Sequence, residues 1–188
     1  MPLPHNDPMP EVRDTNTLLE QLREIVKVLN AGKIRFALIG GMAVSVRARP
    51  RATQDLDFLA EGRCAQQVSG LLRSLGYTVL DERKDLASFV RGDQRVDFLF
   101  ANHPRSTKFL EAADPVMLPP EVPVVSTEAL VALKLQAYTD DPRRLRDLSD
   151  IMDLIRYNRC DLDMAQLRSY FALFDQETFF DEILSRLT

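Results

Sequence analysis

Two aspartates stand two residues apart in a short segment of alternating hydrophobicity. In TQDLDFLA, Asp55 and Asp57 alternate with Leu56 and Phe58, which is the period-two pattern of a β-strand. Both carboxylates then project from one face of the strand, about 7 Å apart along the chain. Hard cations such as Mg²⁺ or Mn²⁺ bind oxygen ligands of this kind and keep positions open for substrate phosphates. The pattern predicts a divalent-metal site, with a solvated turn as the open alternative.

A pair of glycines precedes these aspartates. The apolar run IRFALI ends at Gly40 and Gly41, and the next residues are compatible with a helix. The glycines therefore stand at a helix start, where backbone N–H groups and the helix dipole favour an anion. Glycine also lets a triphosphate approach the backbone closely. We expect this turn to hold phosphates, and an ordinary tight turn is the alternative.

A third candidate carboxylate lies in the segment RVDFLF. Asp97 occupies an apolar strand there, with Phe98 and Phe100 on the opposite face. A carboxylate buried without a partner is costly, so a metal ion or an arginine is expected beside it. If Asp97 lies next to Asp55 and Asp57, three carboxylates converge on a site that bound metal makes tolerable.

Hydrophobic periodicity predicts the elements that position these residues. Residues 1–14 are proline-rich and without periodicity, which indicates a flexible tail. Residues 15–125 are expected to form the α/β core, and residues 126–188 a C-terminal helical region packed on it. The expected fold class is α/β (α+β), with a mixed, largely antiparallel sheet flanked by helices.

Several individual elements are predicted within this frame. A helix over 15–31 has Gly32 as its C-cap, and a second helix covers 65–75. The segments YTVLDE, LASFVR and RVDFLFA are expected strands, with a hairpin turn at Gly92 and Asp93. A short helix is expected over 106–113, followed by an extended connection in which VPVV is a possible extra strand. Four helices then follow, the first capped by Ser126 or Thr127.

Composition limits the possible partners. The net charge of −4 and the pI near 5.3 exclude a global cationic field that would hold nucleic acid. Two basic clusters, RARPRA and PRRLRD, either steer a polyanion or are solvated faces. Cys64 and Cys160 fit no zinc spacing. Neither a signal peptide nor a transmembrane segment is recognisable, so a cytoplasmic location without membrane contact is expected.

The order of the motifs resembles that of DNA polymerase β-type nucleotidyltransferases. The stretch LIGGMAVSVRARPRATQDLDFL is similar to their glycine turn and Asp-x-Asp motif, and RVDFLF to the strand that carries their third carboxylate. The motifs GG-x-A and R-x-T-x-D-x-D are most similar to those of the AbiEii/AbiGii toxin group. That group continues with a helical lysine and a D-x-x-D sequence, which correspond here to Lys134, Asp147 and Asp150.

The resemblance implies a set of roles. It assigns the metal to Asp55, Asp57 and Asp97, and the NTP triphosphate to Gly40, Gly41 and Lys134, assisted by Arg51 and Thr53. Asp147 and Asp150 are expected to orient Lys134 or the acceptor. The chain departs from the family in having Gly-Gly for the frequent Gly-Ser and in being shorter than the usual toxins.

The implied activity is Mg²⁺- or Mn²⁺-dependent transfer of NMP from an NTP to an acceptor. The acceptor is an RNA or tRNA end, a protein side chain or a small hydroxylated molecule. A toxin–antitoxin or phage-defence setting would add an antitoxin partner. Two other classes stay open: a non-catalytic nucleotide-binding or partner-binding module, and an α/β interaction domain whose acidic residues are structural.

Overall fold

The computed structural model describes residues 15–186, so the expected tail over residues 1–14 lies outside the described part. The helices are α1 Thr15–Ala31, α2 Gly40–Arg47, α3 Ala65–Ser74, α4 Pro104–Glu111, α5 Thr127–Asp140, α6 Leu145–Asn158, α7 Met164–Ala172 and α8 Glu177–Arg186. The strands are β1 Phe36–Ile39, β2 Asp55–Glu61, β3 Thr78–Arg83, β4 Leu86–Arg91, β5 Gln94–Ala101, β6 Asp114–Met117 and β7 Glu121–Val124. A 3₁₀ turn at Gly62–Cys64 leads into α3.

The strands form one sheet in the order β3-β4-β5-β2-β1-β7-β6. Strands β5 and β2 are parallel, as are β1 and β7, and the other neighbouring pairs are antiparallel. The predicted α/β class with a mixed, largely antiparallel sheet is therefore confirmed. Gly92, at a φ of 60°, makes the expected turn between β4 and β5.

Helices cover the sheet and leave part of one face open. Helices α1 and α3 pack together, and α1 also contacts β2, whereas α2 contacts β1, β2, α5 and α6. The core contains a run of phenylalanines in which Phe58 stacks on Phe98 and meets Phe36 edge-on. Phe58 on β2 and Phe98 on β5 alternate with the candidate aspartates, so the core packing fixes which face carries the carboxylates.

Three local predictions need correction or completion. Helix α1 ends at Ala31, so Gly32 follows it at the C-cap as expected, but the left-handed residue is the next one, Lys33, with φ 53°. Helix α4 begins two residues earlier than expected, because Pro104 suits the first turn of a helix. The extended connection forms a hairpin of two strands, β6 and β7, of which only β7 was expected.

The C-terminal part is helical, as its periodicity predicts. Ser126 caps α5, where its hydroxyl accepts a hydrogen bond from the backbone N–H of Ala129 at 3.2 Å. Helices α5 and α6 pack against each other, and α7 packs on α5. None of the helices described between residues 15 and 186 has the length and apolar character that a membrane crossing requires.

Candidate active site

The pairing of β2 with β5 brings two of the candidate carboxylates side by side. In this parallel pair Asp57 is in register with Asp97, and Asp55 with Arg95. In-register residues of neighbouring strands project from the same face of a sheet. Asp55, Asp57 and Asp97 therefore share one face, opposite the phenylalanine core, as their alternation predicts.

Asp57 lies in a strongly anionic setting. Burial and then the charge of Asp97 raise the pKa of the Asp57 carboxyl from 3.8 to about 6, and Asp55 adds to this effect. The charge of Lys134 and a hydrogen bond from the backbone N–H of Gly41 act in the opposite direction. A second cation placed between Asp57 and Asp97 would relieve this repulsion.

The glycine turn is built closely around Asp57. Gly40 has a φ of 65°, and a Cβ on it would lie 1.9 Å from Oδ2 of Asp57. A side chain on Gly41 would meet the Thr53 hydroxyl at 2.5 Å. Glycine is therefore required at both positions for the first turn of α2 to approach the carboxylate.

The cation that contacts Asp97 in this structure is a guanidinium. Arg95 donates its Nε–H to both carboxylate oxygens of Asp97, at 3.2 and 3.1 Å. The arginine alternative raised from the sequence is therefore present. Within residues 15–186 no three acidic, histidine or cysteine side chains are already gathered as a metal centre.

A cleft of about 600 Å³ opens in front of these carboxylates. Its floor is formed by β2, β3, β4, β5 and the end of β1, and one wall is formed by α5 and the start of α6. Of the residues expected at the site, five line it: Gly40, Asp57, Asp97, Lys134 and Asp147. The other five do not line it: Gly41, Arg51, Thr53, Asp55 and Asp150.

Lys134 reaches the cleft from a buried ion-pair network. Its Nζ lies 2.6 Å from Oδ1 of Asp147 and 2.9 Å from Oδ2 of Asp150. Burial alone would raise the pKa of Asp147, but Lys134 and Arg144 outweigh it and hold that pKa below its usual value. The D-x-x-D pair thus faces Lys134 rather than solvent, because a spacing of three places both aspartates on one side of α6.

The network extends behind the cleft through Arg51. Its Nη2 lies 3.0 Å from Oδ2 of Asp150, and its side chain is packed against Gly41. The Thr53 hydroxyl donates to the carbonyl of Asp55 at 3.4 Å. Arg51 and Thr53 therefore brace the glycine turn and β2 from outside the cleft in this structure.

The two basic clusters are largely neutralised by the protein itself. In RARPRA, Arg47 pairs with Asp114, Arg49 with Asp153 and Arg51 with Asp150. In PRRLRD, Arg143 pairs with Asp141 and Arg144 with Asp147. Arg146 is exposed. Of the two interpretations left open from the sequence, a strong polyanion patch at either cluster receives little support.

Four polar residues of the cleft were not expected from the sequence. One of them, Asp81 on β3, pairs with Arg83 at 2.9 Å. Arg95 precedes Asp97 by two positions, so the period of the strand alone could have placed it on the same face. Ser88 is in register with Asp97 across the β4–β5 hairpin, which only the turn geometry reveals. Arg144 was assigned to a basic cluster, and its role in the network depends on how α6 docks against α5.

Fold and site together define a class of protein: a mixed sheet that presents paired carboxylates beside a glycine turn at a helix start. Residues 25–187 match the family described as nucleotidyl transferase AbiEii toxin, type IV toxin–antitoxin system. Because this match spans most of the chain, the protein belongs to the AbiEii nucleotidyltransferase family. The prediction of an enzyme that transfers NMP from an NTP is thereby confirmed. No curated protein sequence matches the chain.

Solved structures show the same fold. ANT(2")-Ia in complex with adenylyl-2"-tobramycin is similar with a TM-score of 0.68 and 17% identity, over 85% of this chain and 97% of that one. The lincosamide adenylyltransferase LnuA, lincomycin-bound, is similar with a TM-score of 0.55 and 18% identity, over 72% of this chain and 94% of that one. The Megavirus polyadenylate synthase is similar with a TM-score of 0.51 and 14% identity, over 78% of this chain and 33% of that one. At these identities the likeness establishes the fold.

Proposed function

We propose that this nucleotidyltransferase requires a divalent cation, Mg²⁺ or Mn²⁺, held by Asp57 and Asp97 with Asp55 as the third carboxylate. The observation that carries the proposal is the in-register pairing of Asp57 with Asp97 on β2 and β5. Burial and then the charge of Asp97 raise the pKa of Asp57, so a cation between the two carboxylates would favour the form in which both are ionised. Carboxylate oxygens on one face are the donor set that Mg²⁺ prefers.

The chain's own residues supply the remaining charge control. When bound, the metal supplies activation of the acceptor oxygen and neutralises charge on the transferring phosphate. Arg95 must release Asp97 for this, and its guanidinium is then free to face substrate phosphate or solvent. Asp97 is placed to accept the proton of the acceptor hydroxyl as that oxygen attacks the α-phosphorus.

The triphosphate has two groups to bind. The first turn of α2 presents the backbone of Gly40 to the cleft, and the N-cap residue Ile39 offers no side-chain hydrogen bond to that turn, although Asp57 accepts the backbone N–H of Gly41. The positive end of the helix thus faces the position where phosphates would lie. Lys134 adds a cation from the opposite wall and would stabilise the leaving pyrophosphate.

The buried network fixes the position of that cation. Asp147 and Asp150 hold Lys134 from two sides, and Arg51 holds Asp150 in turn. A lysine fixed by two carboxylates loses less conformational freedom when the triphosphate binds. We therefore assign Asp147 and Asp150 to orienting Lys134, and Arg51 with Thr53 to supporting Gly41 and β2.

The setting is proposed from the family. An AbiEii toxin of a type IV system implies an antitoxin partner, and a cytoplasmic location would supply NTPs. Related folds act on different acceptors, since the structures above hold adenylyl-2"-tobramycin in one case and lincomycin in another. The acceptor of this chain is an RNA or tRNA end, a protein or a small molecule.

Incubation with each α-labelled NTP, Mg²⁺, total RNA and cell extract tests the function. We expect label to move from NTP to an acceptor and the transfer to stop when a chelator is added. Calorimetry with Mg²⁺ and each NTP is the companion measurement. Metal-dependent NTP binding without any labelled acceptor would support the non-catalytic module instead.

A further inference from the structure

A second and larger groove lies on the other side of α5 from the catalytic cleft. Its volume is about 1090 Å³, and it is lined by α4, one face of α5 and α7. Leu133 of α5 lines both the groove and the cleft. The groove and the cleft are therefore neighbours across α5, and Leu133 is the residue that their linings share.

The charges of the groove are positive and available. Arg105 and Lys108 project from successive turns of α4, and both are exposed. Within the described chain neither forms an ion pair, in contrast to the arginines of RARPRA. Glu128 is the one acidic residue in this lining, and its carboxylate already accepts the backbone N–H of Asp163 at 3.2 Å. The lining therefore carries a net charge of +1, and its two cations on α4 can contact an anion although the whole chain carries a net charge of −4.

The groove also carries an aromatic surface and free amides. Tyr170 is half-buried and packs edge-on against Phe109, with ring centroids 5.7 Å apart. The side-chain amides of Gln136 and Gln166 line the same space. Cations, an aromatic ring and amides in one groove are the combination that binds unpaired nucleotides, through phosphate contacts, stacking and base-edge hydrogen bonds.

We infer that this groove binds the single-stranded nucleic-acid end of the acceptor and leads it past Leu133 to the catalytic cleft. The inference rests on the proposed function and narrows its acceptor class. Arg105 and Lys108 contact phosphates, and Tyr170 stacks with a base. A cationic or uncharged small acceptor would gain no favourable charge interaction with Arg105 and Lys108.

Fluorescence anisotropy with a labelled single-stranded RNA of about eight nucleotides tests the inference. Arg105→Glu/Lys108→Glu should weaken binding at least about tenfold. The slope of log affinity against log salt concentration should become less negative by about 1.4, the value for two phosphates on a single strand. The control Lys27→Glu/Arg156→Glu has the same change of charge at exposed residues outside the groove, and should stay within about twofold of wild type. Tyr170→Leu should weaken binding at least about fivefold, whereas Tyr170→Phe should not.

Two further arms separate this inference from the proposed function. Calorimetric binding of Mg²⁺-ATP should be the same in wild type and Arg105→Glu/Lys108→Glu, because neither residue lines the catalytic cleft. A DNA strand of the same sequence tells whether the sugar matters, and binding of either strand with loss in the variant supports the groove. The inference would be overturned if neither RNA nor DNA bound, or if the control Lys27→Glu/Arg156→Glu lost as much affinity as Arg105→Glu/Lys108→Glu. Transfer of label to a protein would also overturn it.

Discussion

Arg95 bonds both carboxylate oxygens of Asp97 through its Nε, at 3.2 and 3.1 Å, and so covers the third carboxylate of the candidate site. The guanidinium is half-exposed, whereas the Asp97 side chain is 22% exposed. The same arginine is in register with Asp55 on the neighbouring strand. The candidate site therefore contains its own counter-ion, and the proposed divalent cation would compete with it.

Replacement of Arg95 should expose this competition. Arg95→Ala is expected to raise the Mn²⁺ affinity of the nucleotide-free protein by about two- to fivefold, the range for a half-exposed ion pair. Titration followed by the Mn²⁺ paramagnetic signal measures it. Arg168→Ala is the matched control, because Arg168 is equally exposed and pairs with Asp181 away from the cleft. An unchanged or weaker Mn²⁺ affinity in Arg95→Ala would contradict the competition.

The raised pKa of Asp57 predicts a pH-dependent stability. The carboxyl titrates at 3.8 in the unfolded chain and at about 6 in the folded one, so its protonated form is favoured by folding. This stabilisation is present below the lower value and is lost as the pH rises through the higher one. With a chelator present, the Tm of Asp57→Asn minus that of wild type should increase as the pH rises between these two values. Above them the difference should stay constant. A lead that shrinks as the pH rises would contradict the assignment.

Gly40 should not tolerate a side chain. Gly40→Ala combines a positive φ with a clash against Asp57, so we expect a loss of about 1–3 kcal/mol in the free energy of unfolding, together with loss of transfer. Gly70→Ala is the control, because no atom lies within 4 Å of its added Cβ in α3. It should gain about 0.5–1 kcal/mol. Urea unfolding measures both, and equal behaviour of the two variants would refute the strain argument.

Lys134 should act on the triphosphate more than on the fold. Lys134→Met leaves Asp147 paired with Arg144 and Asp150 paired with Arg51, so the protein should stay folded. ATP affinity is expected to fall by about ten- to a hundredfold, the loss of one charged hydrogen bond, while AMP affinity changes little. Lys27→Met, at an exposed position on α1, serves as the control. Equal losses for ATP and AMP would place Lys134 elsewhere in the site.

Much of the candidate site could be predicted from the sequence. The alternation around Asp57 and Asp97 gives each strand and its polar face, because the phenylalanines must be buried. Their register depends on β2 pairing with β5, which are far apart in sequence, and local periodicity holds no information on that pairing. Arg95 followed from the same alternation but was overlooked, because an arginine on a strand usually faces solvent.

Other features depend on tertiary structure. Strand β6 contains Pro115, which disfavours a strand except at the edge of a sheet, where β6 lies. The groove beside Leu133 is formed by helices α4, α5 and α7. Periodicity predicts each of these helices, but it does not predict how they pack against one another. Gly32 follows the last residue of α1, as expected, but the left-handed conformation falls on Lys33, a residue type that does not indicate it from the sequence.

The most direct test of the central claim is NMP transfer from an α-labelled NTP in Mg²⁺ by Asp57→Asn and Asp97→Asn. Each substitution keeps the shape of the side chain and removes its charge, so the fold should persist. We predict that both variants lose at least about a hundredfold in transfer rate, whereas the exposed-site control Asp161→Asn keeps the wild-type rate. Transfer at the wild-type rate by Asp57→Asn would contradict the assignment of the metal to the paired carboxylates.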